Sequence, residues 1–132
     1  MRVKFFVTPV YPYGNDHYFH EIIVLAEGFR KTGVEFFGNA DYWFEKENKA
    51  YLINYSDSED FDIAVYDYRY VKSFEHLLFR KGYPNFNFDK KHVLIDRNDW
   101  ISPIWHKNNN YKIFDLILGC HTVKGFSFPD NY

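Results

Sequence analysis

The sequence predicts an α/β domain: a three-layer, Rossmann-like unit with a mostly parallel sheet and helices on both faces. Three observations predict it. Short β-rich runs alternate with helical stretches along the chain. The first run, Val3 to Thr8, is apolar on both faces apart from Lys4, as a strand covered on both sides would be. It feeds an amphipathic stretch through a glycine-containing loop, the opening unit of a parallel sheet.

Each element follows from its own residues. Pro9 ends the first strand, because proline cannot donate to a ladder. Pro12 and Gly14 punctuate the loop, and Asp16 is placed to cap the helix that runs from His17 to Lys31. Tyr18, Ile22, Leu25, Ala26 and Phe29 recur at helical spacing and predict its buried stripe. Arg30 and Lys31 suit the negative end of the helix dipole, and Gly33 suits a left-handed cap. A second strand is expected at Val34 to Phe37, followed by a turn through Gly38, Asn39, Ala40 and Asp41. Tyr42, Trp43 and Phe44 form an aromatic cluster, and Tyr51 to Tyr55 reads as a short strand or hairpin arm. An acidic turn at Asp57 to Asp60 precedes a strand at Phe61 to Tyr66, with Asp67 and Arg69 just past its end. Ser73 to Arg80 reads as a short helix, His92 to Ile95 as a buried strand, and Leu116 to Leu118 as the last strand.

The whole chain sets bounds on function. At 132 residues it is expected to be one domain. A net charge of -2 offers no basic excess for nucleic acid or an anionic membrane. The 12 Tyr and 15 Phe are given no functional weight, because AT-rich coding enriches the same residues together with Asn and Lys. Cys120, the single cysteine, excludes an internal disulfide and fits a reducing compartment. No stretch is long and apolar enough for a transmembrane segment, and a strand beginning at Met1 is not a signal peptide. A cytoplasmic protein is expected.

Polar residues gather at the predicted strand ends: Asn15, Asp16, His17 and His20, then Asp67 and Arg69, then Asp96, Asn98 and Asp99, then His121 and Thr122. In an open parallel sheet these ends share one edge, where ligands bind. The plain alternative is that strand ends are polar because they meet water. His17 and His20 share a helix face and with Asp96 or His121 would make a weak metal set. A polar helix start is the simpler reading, so no resident metal is expected. His17 or Asp16 could act as a general base toward a hydroxyl group. The loop holds one glycine rather than G-x-G-x-x-G, and Asp16 would repel a phosphate, so neither NAD nor another cofactor is expected there. Cys120 and His121 are adjacent, so their side chains diverge and do not form a thiol dyad.

The Val7-Thr8-Pro9 strand end, the Pro12 to His17 loop and the run from Leu25 to Glu35 resemble the start of GT-B fold glycosyltransferases. Those open with a strand, a glycine-bearing loop and a helix of the form L-A-x-x-L-x-x-x-G-H-x-V. Asp62 to Val65, Val93 to Asp96 and Phe114 to Leu118 resemble further strands of the same N-terminal half. This chain departs from the G-H pair at Gly33-Val34. The resemblance implies an acceptor-side domain of an enzyme of polysaccharide biosynthesis. It would bind a glycan or small hydroxyl acceptor, while the sugar nucleotide sits mainly on a C-terminal domain or partner subunit absent from this chain. It also implies roles. His17, Asp16 and His121 would be catalytic and Gly14 and Asn15 would bind the acceptor, a set to which the polar strand ends add His20, Asp96 and Asn98. Two rival readings are a non-enzymatic flavodoxin-like module and a small metal-dependent hydrolase. A receiver domain is disfavoured, because Pro9 and Val10 stand where its first acidic residues belong.

Overall fold

The computed structural model describes residues 1–7, 20–43, 51–67, 70, 89–96 and 114–119, with backbone alone at 20, 21, 42, 43, 51, 52 and 96. It is an α/β, Rossmann-like fold. In chain order the elements are β1 (Arg2–Phe6), α1 (His20–Thr32), β2 (Glu35–Gly38), β3 (Tyr42–Trp43), β4 (Tyr51–Ile53), β5 (Ile63–Asp67), β6 (Lys91–Asp96) and β7 (Leu116–Gly119). Five of the strands form one sheet in the order β2-β1-β5-β6-β7, and every pairing in it is parallel.

The two outermost expectations, that strands are parallel and that both faces are covered, hold for simple reasons. Val3, Phe5 and Val7 point to one face and Lys4 and Phe6 to the other, as a pleated strand requires. The first face packs Val3, Phe5, Val65 and Ile95 under Ile22 and Ala26 of α1, with Leu25 and Phe29 at its margin. This is the predicted stripe, apart from Tyr18, which lies outside the described residues. The second face packs Phe37, Phe61, Ala64, Tyr66, Leu94, Phe114 and Ile117. Tyr70 is helical and lies against it, its ring 5.6 Å from that of Phe6. The helix expected at Ser73 to Arg80 lies outside the described residues.

α1 stops where the sequence predicts. Gly33 has φ of 72°. Its amide donates to the Arg30 carbonyl, and the Val34 amide donates to that of Phe29. These two bonds satisfy carbonyls that the helix leaves open, and Val34 joins Phe29 in the core behind them.

Strand limits shift by a residue or two. β5 begins at Ile63 rather than Phe61, because Asp62 is already engaged at the amino edge: its amide donates to the Arg2 carbonyl and its Oδ2 accepts from the Arg2 amide. The same shift brings Asp67 into β5 as its last residue rather than just past it. Tyr51 to Ile53 is a hairpin arm, antiparallel to Tyr42 and Trp43. The chain then returns along the outer side of β2. Gly38 forms a parallel bridge with Tyr55, with Gly38 N–H donating to Asn54 O and Ser56 N–H to Gly38 O. Counting that bridge as the stub of a strand, the order reads Tyr55-β2-β1-β5-β6-β7. That is the 3-2-1-4-5-6 order of doubly wound dinucleotide folds, in which the order of strand addition reverses between the first and fourth strands.

A lysine inside the sheet contradicts its residue type. Lys4 is only 4% exposed. Its ammonium donates to Ser58 O and Glu59 Oε1, each at 2.8 Å, and sits 5.4 to 5.8 Å from the ring centres of Phe6, Phe37 and Phe61. The acidic turn thus serves the core as well as the solvent. Beyond it, Tyr66 and His92 stack and share a hydrogen bond between the hydroxyl and Nδ1 at 3.0 Å. Burial pushes the Tyr66 hydroxyl well above the ordinary phenol range, with Tyr70 and Glu59 adding to it.

Candidate functional site

The carboxyl ends of β1, β2, β5, β6 and β7 lie along one edge because the sheet is all parallel. α1 connects the parallel neighbours β1 and β2, so its first residue, His20, also stands at that edge. The topological reversal falls at β1, which has β2 on one side and β5 on the other. In open α/β sheets this junction is where a crevice forms.

Two described side chains mark the junction. Asp67 ends β5 and is fully buried. Its place in the Ile63, Val65, Asp67 alternation puts it on the α1 face, with Ile95 as its register partner on β6. Burying a carboxyl group is costly unless it is bonded or paired. On the other side of β1 stands Asn39, just after β2. Its Oδ1 accepts from the Val7 amide at 2.9 Å, and its Nδ2 donates to the Val7 carbonyl at 3.0 Å. Its own amide donates to Phe5 O. Asp41, two residues on, accepts from the Tyr55 amide through Oδ1 at 2.7 Å. The exit of β1 is therefore held from the β2 side.

The residues expected to act here are placed as follows. His20 opens α1, and Asp96 ends β6 in register with Gly119, so both backbones stand at the carboxyl edge. Gly14, Asn15, Asp16, His17, Asn98 and His121 lie outside the described residues, as does the Cys120 that follows β7. Among the described residues, no group of three or more His, Cys, Asp or Glu side chains could hold a metal. No helix among them is long and apolar enough to cross a membrane.

Sequence reasoning passed over Asn39 and took Asp67 as a loop residue. For Asp67 the signal was present: extending the period-two alternation by one step lands it on the apolar face. For Asn39 there was none, since its role depends on Val7 being its neighbour across two strands. Comparison with protein-family models, with curated proteins and with solved structures finds no match.

Proposed function

We propose that this domain is the acceptor side of a glycosyltransferase, moving sugar from an activated nucleotide donor to a glycan or other hydroxyl acceptor at the carboxyl edge of the sheet. The observation that supports it most is the strand order: with the Tyr55 bridge counted, the order in which strands are added to the sheet reverses at β1, as in doubly wound folds. The family reading itself comes from the sequence resemblance around Val7 to His17 and Leu25 to Glu35. Glycosyl transfer needs a base at the acceptor hydroxyl and stabilisation of the departing nucleotide. His17, Asp16 and His121 are the candidates for the first task. The second falls to a donor-binding domain or subunit.

The test is a titration of the isotope-labelled protein, followed by NMR, with methyl glycosides in one series and with UDP in another. Glycosides should shift the amides of Val7, Asn39, Asp67 and Asp96, and UDP should leave them in place. Glycoside shifts confined to the amino edge, or no response to any glycoside at millimolar concentration, would defeat the proposal.

A further inference from the structure

We infer that the outward face of α1 is a weak dimerisation surface, and that its occupant is a second copy of this chain crossing antiparallel at Gly28. The helix buries Ile22 and Ala26. Val24, Glu27, Gly28 and Lys31 follow one another at spacings of three and four, on the side away from those two. Val24 is 70% exposed, more than any other large apolar residue among the described ones. Gly28 stands one turn further on, inside the helix, where glycine is the poorest choice after proline. Nothing within the chain requires it. The described glycine at positive φ is Gly33, and a Cβ added at Gly28 would meet no atom within 4 Å. An exposed apolar knob beside a bare turn suits a second helix, because axes approach most closely where the crossing residue is small.

The charges on this face select the occupant. Glu27 and Lys31 have opposite signs one turn apart. Glu27 is engaged within the helix by Arg30 at 2.7 Å, whereas Lys31 is exposed and has no ion pair among the described residues. A two-fold axis between Glu27 and Gly28 reverses the order of the face. Val24 then meets the aliphatic stem of the partner's Lys31, whose ammonium comes within one turn of Glu27. Each contact occurs twice, as an isologous interface requires. A parallel pair would instead set Lys31 against its own copy. One crossing of a 13-residue helix buries well under the roughly 1,200 Å² of a stable interface, so the dimer is weak and its population follows concentration. This inference is independent of the acceptor reading.

Sedimentation velocity and amide NMR shifts of the full chain, from about 10 µM to about 1 mM, test it. The sedimentation coefficient should rise with concentration, and the shifts should gather at Val24, Glu27, Gly28 and Lys31. Gly28→Gln should weaken association about tenfold or more while raising the urea midpoint, since glutamine is the better helix former and the monomer leaves it room. A folding defect would lower both, so the opposite signs tell the two apart. Lys31→Glu should also weaken association about tenfold, and adding Glu27→Lys should restore it, because the exchanged charges are again complementary about the two-fold. A chain that stays monomeric at about 1 mM, a dimer whose shifts lie off α1, a G28Q dimer as tight as wild type, or a double variant no better than K31E would each overturn the inference.

Discussion

The amino and carboxyl edges of the sheet are held by different forces. At the amino edge, strands begin beside charges of opposite sign. Arg2 reaches Glu35 at 3.0 Å and Asp60 at 2.6 Å, Lys91 reaches Asp115 at 3.0 Å, and Lys4 reaches Glu59 at 2.8 Å. At the carboxyl edge, by contrast, Asn39 bonds to both backbone groups of Val7, Gly38 to its flanking strand, and Asp41 to the Tyr55 amide, each a bond to backbone. The charges of the amino edge are matched to one another. The carboxyl edge spends side chains on shaping the backbone, as expected of the side where loops do the work.

The largest test of this contrast is Lys4. Exposed ion pairs contribute about 0 to 1 kcal/mol; Lys4 differs because its own side chain is buried, although its partner Glu59 is exposed, so its loss is mainly one of packing and of its bond to Ser58 O. Lys4→Ala should destabilise by about 2 to 3 kcal/mol in urea unfolding, through the void among Phe6, Phe37 and Phe61 and the lost bond to Ser58 O. A loss below about 1 kcal/mol would make Lys4 an ordinary surface charge and erase the distinction.

The carboxyl edge is tested next by Gly38→Ala, expected to cost about 2 kcal/mol from the clash with Ile53. In a double-mutant cycle, Ile53→Ala should cost less in the G38A background than in wild type, because it removes the atom in the way. Strict additivity would place the strain elsewhere.

The smallest effect sharpens the amino edge. Burial opposes ionisation of Asp115, but the His92 amide and the Lys91 ammonium outweigh it, so its pKa lies below the usual carboxylate range. A depressed folded pKa gives stability that is present above the unfolded value, near about 4, and is lost as pH falls through the folded one. Asp115→Asn should therefore flatten the acid limb of stability against pH below about 4. An unchanged acid limb would remove Asp115 from the edge's charge balance.

Much of the fold could be read from the chain because it is written locally. Val3 to Val7 alternates between two apolar faces, Ile22 and Ala26 mark one side of α1, and Gly33 marks its end. The strand order could not be read, because nothing in Val65 or Val93 says which neighbour it pairs with. The burial of Lys4 could not be read for a related reason: the carbonyl of Ser58 and the rings of Phe37 and Phe61 that surround it are distant in sequence. Strand and helix ends alone put the backbones of Asp96 and His20 at the carboxyl edge, where the structure also has them. They do not find Asn39, because its work is done by a side chain imitating backbone, and periodicity records only what backbone does.

The enclosure of Lys4 has a chemical consequence. An ammonium held among rings and accepting oxygens is shut off from amine-labelling reagents until the structure opens around it. Lys91, with a side chain 73% exposed, offers no such delay. The ratio of modification rates at these two lysines is thus a built-in clock for opening of the sheet, readable by mass spectrometry on unaltered protein.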